Sequence, residues 1–318
     1  MIHRPVNLSV LIGEHLAKNR RLKWATRYHR QRAWRLLIEA TGDMDISEFA
    51  YSDAEDFVEY LYSKDLEVNS IRSYIKTVRP VFRWAWRRGY REGDPFDGLK
   101  LPKSPKYEIR VYSEAELRDM LASAPNDMWQ ARIMTANTAG LRKGEILNLT
   151  VKDVNFEEDY ISVQAKKNTS ETWPWTPKSY EVRRVPLTDE LANLYSQILA
   201  ELPPGYPYLM LTEQRYWWLQ RLRRQGEMTE RMMLNPDENF SKPFQKILRT
   251  AEISDGCFHD LRRTAITRWS NNLPPQDTQA LAGHADIKTT LTYYSAVSSN
   301  LLERARSLGA TGLEPATS

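Results

Sequence analysis

A short stretch near residue 100 limits every fold this chain can adopt. Gly93-Asp94-Pro95-Phe96-Asp97-Gly98 runs into Lys100-Leu101-Pro102-Lys103-Ser104-Pro105-Lys106. Two prolines among lysines, with little apolar content, continue neither a helix nor a strand, so this segment predicts an extended basic linker. Hydrophobic cores must then form separately on either side of it. The chain has 318 residues, enough for each side to bury one. The predicted units are residues 1–107 and 108–308, followed by a disordered tail over 309–318 that lacks periodicity.

The first unit reads as four helices, with apolar residues at helical spacing over Leu8–Ala17, Ala25–Ala40, Ser47–Tyr62 and Ser70–Arg88. In the fourth, Ile71, Ile75, Val78 and Phe82 form an inward stripe. Arg72, Lys76, Arg79, Arg83 and Arg87 repeat the same spacing one residue on. No acid interrupts that row, so it is expected to lie open along a line of phosphates rather than as an ordinary solvated face. Charge divides unevenly between the units: residues 1–107 hold 20 Lys and Arg against 14 Asp and Glu, and the remainder 25 against 27. Lys18, Arg20, Arg21, Lys23, Arg27, Arg30, Arg32 and Arg35 also follow one another without an acid, as a surface facing a polyanion requires.

The second unit is expected to be mostly α with a small β-hairpin. Ser113 and Glu116 make a capping-box pattern for a helix to Ser123. Gly140 is placed to end a helix over Met128–Thr138 in a left-handed conformation. Tyr160–Gln164 and Glu181–Val185 alternate like strands, and helices resume over Thr188–Ala200, Glu213–Arg224, Phe244–Ala251, Asp260–Trp269, Pro275–Ala282, Ile287–Tyr294 and Ser299–Leu308. No apolar run reaches the ~18 residues of a membrane span. The single cysteine, Cys257, makes no internal disulfide, and Met1–Arg30 lacks the pattern of a secretory leader, so a cytoplasmic location is expected.

Two helix starts carry cations where a helix dipole favours anions. Arg142 follows Gly140-Leu141 and opens a helix through Glu145, Ile146 and Leu149. That conflict is resolved either by a bound anion or by a structural pair with Glu145, and on these residues alone the pair is the plainer answer. His259 and Arg262 stand three residues apart in the first turn of another helix, and His284 precedes a third. Cys257, His259 and His284 lack zinc spacing and a fourth partner, so no metal is expected.

Taken together, Ala139-Gly140-Leu141-Arg142-Lys143-Gly144-Glu145, His259-Asp260-Leu261-Arg262-Arg263-Thr264 and Ala282-Gly283-His284 with a tyrosine nine residues later resemble the tyrosine recombinase or phage integrase family. Order, intervals and helix-start context all match. The resemblance implies a helical, SAM-like core-binding domain, ending near Asp94-Pro95 where relatives often have Asn-Pro, and a mixed, mostly α catalytic domain over residues 112–305. It implies a clamp on double-stranded DNA, with Arg27, Arg30, Arg72, Lys76, Arg79 and Arg83 as the first domain's DNA contacts and a homo-multimer, a tetramer, as the working form. The chemistry it implies is transesterification without cofactor, through a 3′-phosphotyrosyl link. Arg142, Arg262 and His284 would bind the phosphate, His259 would assist proton removal, Glu145 would orient Arg142, and a lysine between the strands would act as general acid.

Lys166, Lys167 and Lys178 all lie in that unusually long connection, and Lys178 is chosen from its interval to Pro186. Trp173 and Trp175 are read as either packed or DNA-facing. Tyr293 is chosen as nucleophile over Tyr294 from its interval to His284. Helical spacing agrees: Ile287, Leu291 and Tyr294 are expected to pack inward, leaving Tyr293 outward beside Thr289 and Thr290. Relatives often carry histidine where this chain has Ser295-Ala296. A type IB topoisomerase-like enzyme, a telomere resolvase and a DNA-binding protein without turnover are the alternatives.

Overall fold

A computed structural model of the chain describes residues 5–18, 22–104, 108–178 and 182–296. It divides into two compact units, Met1–Tyr107 and Glu108–Ser318. The helix expected at Ser299–Leu308, the tail over 309–318, Arg20, Arg21 and Glu181 lie outside the described residues. Among the described residues no helix is long and apolar enough to cross a membrane.

Four helices build the first unit: α1 (Leu8–Lys18), α2 (Trp24–Thr41), α3 (Tyr51–Ser63) and α4 (Val68–Arg87). The expected stripe of Ile71, Ile75, Val78 and Phe82 is buried, and Phe82 centres an aromatic cluster 4.5 Å from Phe49 and 5.0 Å from Phe96. Pro80 lies inside α4, which runs on without a break.

The cationic row on α4 differs from its expected open form. Asp94, in the turn after the helix, reaches back to Arg83 Nε at 2.8 Å and Arg79 Nε at 3.3 Å, and Arg79 also meets Asp97 at 3.5 Å. Burial opposes a charged Asp94, but Arg83, the Phe96 amide and Arg79 together hold its carboxyl below the usual carboxylate range. Arg72 donates to the Pro102 carbonyl and so ties the basic segment to α4. Within the helix the row is free of acids, as expected. The acid arrives instead from the next turn, which helical spacing does not register. Lys76 and Arg87 stay exposed.

The second unit contains α5 (Glu114–Ala122), α6 (Asp127–Thr138), α7 (Lys143–Leu147), β1 (Val154–Asn155), β2 (Tyr160–Val163), β3 (Arg183–Pro186), α8 (Asp189–Glu201), α9 (Glu213–Arg224), α10 (Glu230–Leu234), α11 (Ser241–Thr250), α12 (Phe258–Asn272), α13 (Pro275–Ala282) and α14 (Ile287–Ala296). The strands form an antiparallel sheet in chain order, with Ile161 opposite Val185 and Val163 opposite Arg183. Side chains alternate across a strand, so Arg183 shares its buried face with Val185, while Arg184 is exposed. Gly140 ends α6 at φ +61°, and α6 packs along α12.

Trp173 and Trp175 are both packed. Trp173 is fully buried, stacks on Tyr208 at 4.3 Å, and donates its indole N–H to Asn148 Oδ1 at 3.0 Å.

Candidate active site

The site is organised around the C-terminal end of α13. The last carbonyls of a helix have no partner in their own ladder and carry the negative end of its dipole. Here three arginines from distant segments meet them. Arg183 Nε donates to the Leu281 carbonyl at 3.0 Å and Arg142 Nη2 to the Gly283 carbonyl at 2.9 Å. Arg262 reaches the Ala282 carbonyl and, with its other nitrogen, the Gly140 carbonyl. Gly283 turns the chain out of α13 at φ +59°, and a Cβ there would press on the Arg183 side chain at 3.1 Å.

One carboxylate serves this cluster. Glu145, on α7, accepts from the Arg142 amide at 2.8 Å, Arg142 Nη1 at 2.9 Å, Arg183 Nη1 at 3.1 Å and Arg183 Nη2 at 2.7 Å. Its burial favours the neutral acid, yet Arg183 first and then Arg142 and Arg262 reverse this and hold the carboxyl down at about 2. The structural pair of Arg142 with Glu145 is therefore present, and it does not exhaust the site's charge. Three guanidiniums against one carboxylate leave an excess of two positive charges. Burial, then Arg142, push Arg262 down to about 9, where it remains a cation at neutral pH. Such a concentration of buried like charge calls for an anion.

The remaining groups gather around it. Burial and the arginines push His284 down to about 4, so its ring is neutral at pH 7. His284 Nδ1 lies 2.9 Å from Thr290 Oγ1; with the hydroxyl as donor, this assigns the ring proton to Nε2, which becomes a hydrogen-bond donor. His259 sits in the first turn of α12, its pKa lowered by partial burial, Arg262 and Arg263. Asp260 repeats in α12 what Glu145 does in α7: it accepts from the Cys257 amide at 2.7 Å and pairs with Arg263 at 2.6 Å. Among the described residues no three His, Cys, Asp or Glu side chains gather as metal ligands.

Tyr293 and Tyr294 occupy faces opposite to those expected. Tyr293 is 7% exposed, packed with Ile266 and Ala282, its ring 6.1 Å from that of His284, whereas Leu291 is 43% exposed. An apolar stripe marks the inward face of a helix only where that face meets an apolar core. The inward face of α14 meets only a small apolar patch, Ile266 and Ala282, beside the polar cluster, which Thr290, fully buried, joins through His284. Burial raises the Tyr293 pKa, while Arg262 and Arg263 oppose that rise. Tyr294 is held elsewhere, its hydroxyl donating to the Leu273 carbonyl and lying 2.9 Å from Thr278 Oγ1.

Lys178 is exposed, and among the described residues no hydrogen bond or ion pair ties it to the arginine cluster. Lys166 is committed to a buried pair with Asp153 at 2.7 Å. Arg183 and Thr290 are site residues that the sequence motifs do not single out. The alternation of β3 places Arg183 on the core face with Val185, which is a usable signal for a buried strand cation.

Residues 110–300 match the phage integrase family, and that span is more than half of the chain. The chain belongs to this family, the tyrosine recombinases. A XerC-like tyrosine recombinase of Caldanaerobacter subterraneus subsp. tengcongensis is 25% identical over 280 residues, covering 80% of this chain and 69% of that protein. XerC of Oceanobacillus iheyensis is 24% identical over 274 residues, covering 84% and 83%. Among solved structures, the Tn1549 transposon integrase in complex with a circular intermediate DNA superposes with a TM-score of 0.72 at 18% identity, over 93% of this chain and 99% of that one. A lambda integrase tetramer bound to a Holliday junction gives 0.66 at 14% identity, over 88% and 78%. Within this family member, the arginine cluster, His284 and Tyr293 all fall inside the matched span.

Proposed function

We propose that this chain is a site-specific recombinase that cuts and rejoins double-stranded DNA in the cytoplasm, working as a homotetramer. The observation that carries this is the excess of two positive charges beside Tyr293. A phosphodiester brings one negative charge and gains another as it becomes pentacoordinate, so the cluster fits the transition state better than the ground state. Arg142 and Arg262 donate to the non-bridging oxygens through the N–H groups left over from their carbonyl partners, and His284 Nε2 adds a third donor. The Tyr293 oxygen attacks phosphorus and its proton passes to His259. The bond from phosphorus to the 5′ oxygen breaks, and Lys178 supplies that oxygen with a proton. A 3′-phosphotyrosyl link and a free 5′-hydroxyl result, and attack by the hydroxyl of a partner strand reverses the step. Arg27, Arg30, Lys76 and the paired Arg79 and Arg83 supply the first unit's phosphate contacts, with Arg72 beside them.

The test is covalent capture. Incubated in EDTA with a randomised library of nicked duplexes, the protein should form an SDS-resistant adduct, and sequencing the linked strand identifies its site. On that site, Tyr293→Phe should bind DNA and form no adduct. A wild-type protein that binds the site and never becomes linked to it is a binding protein without turnover.

A further inference from the structure

His284 is held from two sides. Its backbone is tied to α13: the His284 amide donates to the Gln279 carbonyl at 3.2 Å, and the Gln279 side-chain amide donates to the His284 carbonyl at 2.9 Å. Its ring is tied to α14, through the 2.9 Å contact between Nδ1 and Thr290 Oγ1. Thr290 is fully buried, and among the described residues that ring nitrogen is its hydroxyl's only partner. A buried hydroxyl with a single partner must donate to it, because a ring N–H pointing at the oxygen would leave the O–H with no acceptor. Thr290 is therefore the donor and Nδ1 the acceptor. The ring is neutral at pH 7, so its one proton sits on Nε2.

The arginines alone would set the opposite tautomer. Arg262, Arg142 and Arg183 act on the ring strongly enough to hold it neutral. With Nδ1 against Thr290, the nitrogen left open is Nε2, and neighbouring cations favour a lone pair there over an N–H. A lone pair on Nε2 accepts hydrogen bonds and cannot donate one to a phosphate. We propose that Thr290 is a positioning residue for phosphate binding: its hydroxyl fixes His284 as the Nε2–H tautomer, and so keeps a donor rather than an acceptor ready for the anion. This rests on the reading of His284 Nε2 as a donor to the scissile phosphate. Thr290 and Tyr293 are i and i+3 on the inward face of α14, so the helix that carries the nucleophile also carries the group that sets this donor.

Nitrogen NMR of histidine-labelled protein reads the tautomer directly, since protonated and unprotonated ring nitrogens resonate far apart. The His284 signals are those lost in His284→Phe, and the spectra need no DNA, so they stand apart from the proposed activity. At neutral pH the wild type should carry the proton on Nε2. Thr290→Val keeps the shape and removes the hydroxyl, so the proton should move mostly to Nδ1, and Thr290→Ser should return it to Nε2. Adduct formation on the captured site should slow by about tenfold or more in Thr290→Val, the effect of one lost hydrogen bond to a buried group. It should slow by ~10²–10³-fold in His284→Phe, as for any lost oxyanion donor, and recover in Thr290→Ser. A wild-type ring protonated on Nδ1, or a Thr290→Val ring that keeps its proton on Nε2, overturns the inference. So does slow adduct formation in a Thr290→Ser protein whose tautomer is restored, which assigns Thr290 to packing alone. A wild-type rate in His284→Phe overturns the donor reading of His284 and the inference with it.

Discussion

Glu145→Gln removes one charge from the buried cluster while keeping its shape, and the structure sets the size of the effect. The carboxyl is 3% exposed and accepts four hydrogen bonds from Arg142 and Arg183. It is held at about 2 against an ordinary 4.5, a difference worth about 3 kcal/mol. Breaking a buried ion pair by removing one partner costs ~3–5 kcal/mol, which agrees. For a unit of this size, each kcal/mol moves the unfolding midpoint by roughly 2–4 °C, so a drop of about 6–12 °C is expected at pH 7. The sign with pH follows from the depressed pKa. The stabilisation is fully present above about 4.5 and drains away as pH falls toward 2, so the wild-type advantage should shrink across that window. Scanning calorimetry at pH 7, 5 and 3 measures both effects. Added sulfate should narrow the gap at pH 7, since an oxyanion can stand in for the missing carboxylate. A midpoint within about 2 °C of wild type at pH 7, or a gap that does not change with acid, would refute the assignment of Glu145 as the cluster's counter-charge.

Three other outcomes follow from particular contacts. Tyr294→Phe should retain adduct formation with a small loss of stability, about 1 kcal/mol, because its hydroxyl serves Leu273 and Thr278 rather than the cluster; a phosphotyrosyl peptide mapped to Tyr294 by mass spectrometry would reverse the choice of nucleophile. Gly140→Ala places a Cβ against the Trp269 ring at positive φ, so it should destabilise by ~1–3 kcal/mol in a denaturant titration and displace the carbonyl that Arg262 uses. In the first unit, Lys76→Ala with Arg79→Ala should flatten the log–log salt dependence of DNA binding by about 0.9 for each phosphate no longer neutralised, and Asp94→Asn, by releasing Arg79 and Arg83, should steepen it.

The parts of this molecule legible in its sequence are those whose causes are local. Helical spacing placed the four helices of the first unit, and the Ser113–Glu116 box is present as expected, with the Ser113 amide donating to Glu116 Oε2 at 2.8 Å. Gly140 takes the left-handed conformation that ends α6. What escaped depends on partners far away in the chain. Asp94 neutralises part of a row that looks purely basic within α4. Arg183 looks like an ordinary strand cation until Glu145 and the Leu281 carbonyl are brought to it. The face of α14 runs against its apolar spacing because the arginine cluster lies on its inward side: Tyr293 and Thr290 turn inward toward charge, and Leu291 is left outside.

The two-ended grip of Arg262 has a practical corollary. Its guanidinium binds the turn before Arg142 and the turn before His284 at once, so those two turns behave as one rigid part. A lysine, with a single ammonium and no fork, cannot hold both. Every partner named for the cluster belongs to residues 140–293, on one side of the basic segment. The arginine cluster is thus braced by residues of one unit, and a chimera that exchanges residues 1–104 changes none of the residues that hold it.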